Sequence, residues 1–126
     1  MREKFEETEK AGLGNAEEIA ATYIAAWREK KFDALREILS DDFSYVGPLA
    51  TLDNPDECRK SLERMAPVTT DLVVERVFVS GPDVVTWFTL HTSIALPTAA
   101  ANWIHVENGK INRIRAVYDP RALVAD

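Results

Sequence analysis

The chain has 126 residues, 46% of them hydrophobic and 29% charged, the length and mix of one globular domain that builds its core without metals or disulfides. Its 15 basic and 21 acidic side chains leave a net charge of −6, which works against non-specific attraction to nucleic acid or an anionic membrane. The single cysteine, Cys58, has no partner within the chain, so a reducing cytoplasm is the expected compartment.

No run approaches the roughly 18 apolar residues that a membrane span needs. The first ten residues are charged and lack an apolar core, unlike a signal peptide. Residues 1–14 therefore read as a charged N-terminal arm, and residues 15–126 as a single domain. Asn15 is a suitable helix cap, with Glu17 and Glu18 in the first turn where the macrodipole favours anions. Ile19, Ala20, Tyr23, Ile24 and Trp27 recur at helical spacing, predicting an amphipathic helix over 16–30. Phe32, Leu35, Ile38 and Leu39 make a second short helix, stopped by Ser40-Asp41-Asp42.

Phe43–Val46 alternates as a short strand before the Gly47-Pro48 break. Asn54 then caps a third helix with Pro55 at its first position, where the missing N–H costs nothing. Its residues Leu62 and Met65 face inward, and Pro67 ends it. Beyond this the period changes to two, predicting strands over 69–79, 83–95, 99–108 and 110–118. The breaks fall at Gly81-Pro82, at Pro97 and at Asn108-Gly109, the last a type I′ hairpin signal. Helices first and long hairpinned strands afterwards mean an α+β domain with an antiparallel sheet.

The stretches Ala21-Thr-Tyr23-Ile-Ala-Ala-Trp27, Leu39-Ser-Asp-Asp-Phe43 and Tyr45-Val-Gly-Pro48 resemble the opening of ketosteroid isomerase. The closing Gly109-Lys-Ile-Asn-Arg-Ile-Arg-Ala-Val-Tyr118-Asp-Pro120 resembles the same enzymes. It also resembles the SnoaL-like polyketide cyclases and the wider nuclear-transport-factor-like superfamily. Over residues 15–120 the resemblance implies three helices packed on a curved antiparallel sheet, a cone around an apolar pocket. This superfamily hosts isomerases, cyclases, epoxide hydrolases, dehydratases and non-catalytic binders, so the fold alone does not choose an activity.

The resemblance places the isomerases' oxyanion-binding tyrosine at Tyr23 and their second oxyanion donor, a protonated aspartate, at Asn102. An asparagine amide donates a hydrogen bond without a raised pKa. The isomerases' general base falls on Gly47, which carries no side chain, so a standard ketosteroid isomerase is not expected. The second carboxylate of the limonene-epoxide-hydrolase-like arrangement falls on Ala116, and no Asp or Glu lies within 84–95.

His91 is the imidazole best placed to act as base. A β-hairpin loop centred on Leu96-Pro97 would set it directly across from Asn102, on one face. Trp27, Trp87, Phe88, Ile104, Ala116 and Tyr118 are expected to line the pocket. His105 has the opposite parity to Asn102 and is assigned with Trp103 to the helix-free face, where the resemblance implies dimerisation. Large apolar residues of both parities also point to a homodimer through that face. Two histidines and one cysteine, widely spaced, match no zinc pattern, and no phosphate loop occurs, so no metal or cofactor is expected.

Two functional readings follow. In one, Tyr23, Asn102 and His91 carry cofactor-independent isomerase- or cyclase-type chemistry on a small carbonyl, polyketide- or steroid-like molecule. In the other, the same fold binds a hydrophobic ligand without catalysis or serves as a dimeric interaction module.

Overall fold

The computed structural model describes residues 15–124; the expected arm, residues 1–14, and the capping role of the Asn15 side chain lie outside the described residues. Helix α1 spans Asn15–Glu29 and α2 Phe32–Glu37, followed by strands β1, Leu39–Val46, and β2, Thr51–Leu52. Helix α3 covers Pro55–Met65. Strands β3, Thr69–Ser80, β4, Asp83–Thr92, β5, Thr98–Glu107, and β6, Lys110–Tyr118, precede the single-turn helix α4, Arg121–Val124.

Local chemistry explains most of these boundaries. Lys30 has φ 61°, a left-handed residue that breaks α1 from α2. Asn54 is extended, and its side-chain oxygen accepts from the Glu57 N–H at 2.9 Å, with Pro55 beginning the helix. Asn108 and Gly109 both take positive φ, 52° and 77°, as a type I′ turn between β5 and β6 requires.

The six strands form one curved sheet in the order β2-β1-β6-β5-β4-β3. All neighbours are antiparallel except β1 and β6, which run parallel with an irregularity between Leu39 and Ser44. The second helix ends earlier than its sequence suggests. Ser40, Asp41 and Asp42 belong to β1, where both aspartates point to solvent. β3 carries irregularities at its start, between Thr69 and Asp71, and again between Val74 and Arg76; such bulges bend a strand and add curvature.

The helices cover one face of this sheet. Leu35, Leu39, Phe43, Leu72, Val84, Ile104, Ile111 and Ile114 are at most 1% exposed and make up the core. Each such side chain contributes about 1.5–3 kcal/mol by leaving water. Arg36 and Arg59 tie α2 to α3 through Asp56 and Asp33 at 2.9 and 2.6 Å; these solvent-facing pairs add little stability. Among the described residues no helix is long and apolar enough to cross a membrane.

Candidate functional site

The inner face of the sheet is built in rows, set by the strand register. Asn102 stands between Thr86 on β4 and Ala116 on β6, and Ala100 stands between Phe88 and Tyr118. Below this surface α1 presents Tyr23 and Trp27, one turn apart, and α3 presents Cys58, Leu62 and Met65 at helical spacing. Together they enclose a cavity of about 160 Å³. The β1–β2 turn, with Leu49 and Ala50, and Leu123 of α4 complete its wall.

The cavity wall is mostly hydrocarbon and aromatic ring. Trp27 packs edge-on against Phe88 at 5.7 Å and tilts against Tyr23 at 6.1 Å, separations typical of favourable aromatic pairs. The Trp27 indole nitrogen is buried and has no hydrogen-bond partner among the described residues. Asn102 is 4% exposed. No hydrogen bond joins its side-chain amide to another described side chain, and the small neighbours Ala100 and Ala116 leave it facing the cavity.

The titratable groups of the wall stay neutral at ordinary pH. Burial, with the nearby Cys58 adding to it, pushes the Tyr23 hydroxyl well above the usual phenol range. Its Oη lies 4.0 Å from Cys58 Sγ. Burial also pushes the Cys58 thiol up to about 11. Tyr45 and Tyr118 sit side by side, and burial raises both hydroxyls. The wall therefore offers hydroxyl, thiol and amide hydrogen bonds without a fixed charge.

Tyr23, Asn102, Trp27, Phe88, Ala116 and Tyr118 thus meet in one cavity, as their positions in the sequence imply. Three expected members do not join them. His91 is not across from Asn102: its partner in the sheet is Asp71 of β3, and Thr86, five residues earlier, occupies the place opposite Asn102. The β4–β5 connection runs from Ser93 to Pro97 rather than forming a two-residue turn, and an odd shift of register reverses the face of every side chain. With Phe88 and Leu90 lining the cavity, His91 points to the opposite face. Trp87 is on that outer face as well, paired with Arg76 and Ala101 and 46% exposed. Ile104 does face inward, but it is fully buried between Val84 and Ile114 in the core and does not line the cavity.

Cys58 and Tyr45 are the wall residues that sequence reasoning passed over. The signal for Cys58 was present, since Cys58, Leu62 and Met65 repeat at the spacing of one helix face. For Tyr45 the signal is the strand alternation over Phe43–Val46, which sets it on the same face as the buried Phe43.

Two further features adjoin the site. A cavity of about 200 Å³ lies between α1 and the β3–β4 edge, lined by Ala20, Ile24, Arg28, Val77 and Thr86 among others. The cross-strand neighbours Thr86 and Asn102 hence line different cavities. On the outer face, Asp83 Oδ1 accepts from Trp103 Nε1 at 2.8 Å and pairs with His105 Nδ1 at 2.7 Å. Partial burial would raise that carboxyl, but the hydrogen bonds from His105 and Trp103 outweigh it and hold the group below its usual range. Arg113 stacks over the Trp103 ring at 5.4 Å.

A family described as a SnoaL-like domain matches residues 20–114, and no curated protein matches the chain. Among solved structures, an NTF2-like protein of unknown function from Cytophaga hutchinsonii is 24% identical, covering 87% of this chain and 95% of its own, with a TM-score of 0.79. An LEH-like epoxide hydrolase from M. tuberculosis is 20% identical over 85% of this chain and 84% of its own, at 0.75. A protein with a ketosteroid isomerase-like fold from Catenulispora acidiphila, in complex with trimethylamine, is 18% identical over 81% and 85%, at 0.71. At these identities the likeness establishes the fold.

Proposed function

The chain belongs to the SnoaL-like domain family, and from that premise we propose that it binds a small, largely apolar molecule in the cavity between α1, α3 and the inner face of the sheet. The observation that carries this reading is the wall itself. It combines aromatic and aliphatic surface with neutral hydrogen-bonding groups, Tyr23, Cys58, Tyr45 and Tyr118, and with the Asn102 amide, which no described side chain pairs. Concave apolar sites with a few convergent polar groups are the usual form of small-molecule sites. An isomerase- or cyclase-type reaction would need a group that takes a proton near neutrality. Both histidines, His91 and His105, face the other side of the sheet, so binding is the better-supported role.

Trp27 provides the test, because it lines the cavity while Trp87 and Trp103 lie outside it. Titration with an apolar ketone such as cyclohexanone is expected to change the intrinsic fluorescence of the chain, and Trp27→Phe is expected to abolish that change. A fluorescence response that survives in Trp27→Phe, or no response in the wild type, would contradict the proposal.

We also propose that two copies associate through the outer face. Phe78, Trp87, Trp103 and Val117, from four adjacent strands, are between 44% and 65% exposed there, more apolar surface than a monomer ordinarily leaves wet. Arg113 and Arg115 stand on β6 at one side of this face, and Asp71 and Glu75 on β3 at the other. A two-fold axis lying in the interface, along the strands, brings each basic side onto the partner's acidic side. A reducing cytoplasm suits the unpaired buried thiol of Cys58.

A further inference from the structure

Resting on the binding role proposed above, we infer that the ligand is an uncharged molecule no larger than a single six-membered ring, carrying one oxygen acceptor that Asn102 anchors. Fused-ring steroids and polycyclic polyketides fall outside this class.

Size is the first argument. A cavity of about 160 Å³ is close to the apolar cavity of roughly 150 Å³ that takes benzene in another protein. It is smaller than the roughly 300–1,000 Å³ typical of drug-sized ligand sites. The walls have little room to retreat. Trp27, Phe88 and Tyr23 form an interlocked aromatic wedge on the α1 side. The Tyr45 ring lies over Gly47, so close that an added Cβ there would stand 2.5 Å from its hydroxyl oxygen.

Charge is the second. An ion entering the cavity would give up its hydration, and the described wall residues return only neutral dipoles. Burying an unpaired charge in such surroundings is far more costly than burying a neutral polar group. This excludes carboxylates and ammonium ions alike.

Asn102 supplies the anchor. It is 4% exposed and lines the cavity, and no described side chain pairs with its amide. A ligand acceptor that pairs this amide gains a hydrogen bond in a largely apolar site. The flanking alanines on β5 and β6 hold open the space in which a ligand oxygen would accept from the Asn102 Nδ2–H group.

The test is a set of NMR titrations of the full chain with cyclohexanone, cyclohexanecarboxylate, trimethylammonium and testosterone, repeated on Asn102→Leu, which keeps the branched skeleton of the side chain and removes the amide. Cyclohexanone is expected to bind the wild type and to lose about tenfold in affinity in the variant. The two ions and the steroid are expected to bind at least tenfold more weakly than cyclohexanone. Testosterone or either ion binding as tightly as cyclohexanone would overturn the inference while leaving the binding role standing. So would equal cyclohexanone affinity in the two chains. If none of the four compounds perturbs the cavity, the binding role and the inference fall together. The comparison of size and charge needs only the wild-type chain and stands even if Asn102→Leu fails to fold.

Discussion

The ring of Tyr45 occupies the space that a side chain at Gly47 would need. A Cβ on Gly47 would stand 2.5 Å from the Tyr45 hydroxyl oxygen and 2.9 Å from two of its ring carbons. The position at which the isomerases carry their base is therefore not an empty slot awaiting a carboxylate. Gly47→Asp is expected to destabilise the fold by about 1–3 kcal/mol, the usual range for overpacking, and to confer no steroid isomerisation. In a double-mutant cycle with Tyr45→Leu, thermal unfolding should show the two losses to be less than additive. Additive losses would mean that the ring and the new side chain do not compete.

His91 faces away from the cavity, so its removal should not be felt there. His91→Ala is expected to leave cyclohexanone affinity within about twofold of the wild type, and stability within about 0.5 kcal/mol, as for most surface changes. Isomerisation of a ketosteroid should stay at background in both chains. A large loss of affinity in His91→Ala, measured by the same titration, would show that the side chain reaches the ligand.

The Cys58 thiol gives the pH dependence a definite sign. Burial raises it from its ordinary 9.0 to about 11, so the folded chain holds the proton more tightly than the unfolded one. This contribution is fully present below about pH 9 and is lost as pH rises through about 11, a loss of about 2–3 kcal/mol at most. Tyr23 and Tyr45 shift in the same direction and extend the loss further into alkali. Chemical denaturation between pH 8 and pH 11 is expected to show falling stability, with a shallower fall in Cys58→Ala. Ligand affinity should be flat between pH 5 and pH 8, because no wall group changes charge in that range. A stability that rises into alkali would contradict this account.

The proposed dimer predicts a mass near twice 14.1 kDa by light scattering at micromolar concentration. A Phe78→Glu, Val117→Glu double variant is expected to run as a monomer and to keep its cyclohexanone affinity. Both residues lie on the outer face, 60% and 65% exposed, and neither touches the cavity. A wild-type mass near 14.1 kDa would show that this face is left unpaired.

Much of the fold was legible because it is locally encoded. The Asn54-Pro55 cap and the Asn108-Gly109 turn act through their own backbone angles, and the face shared by Tyr23 and Trp27 follows from helical spacing alone. The meeting of Tyr23 with Asn102 came from resemblance, and the cavity contains both. What escaped the sequence depended on loops and irregularities. A five-residue connection in place of a two-residue turn moved His91 and Trp87 to the outer face. The irregular entry into β1 hid the strand character of Asp41 and Asp42, whose composition reads as a helix stop. Ile104 was placed on the correct face but too near the ligand, because parity gives the side of a sheet and not the depth beneath the helices.

The cavity claim is tested most directly by mapping methyl chemical shifts on adding cyclohexanone to the full chain. Ala100, Ala116 and Met65 line the cavity, Ala20, Ile24 and Val77 line the second one behind α1, and Val73 and Val117 mark the outer face. The account predicts saturable shifts at Ala100, Ala116 and Met65, with the other two groups unmoved. Shifts confined to the α1–β3 cavity or to the outer face would place the ligand elsewhere and contradict it.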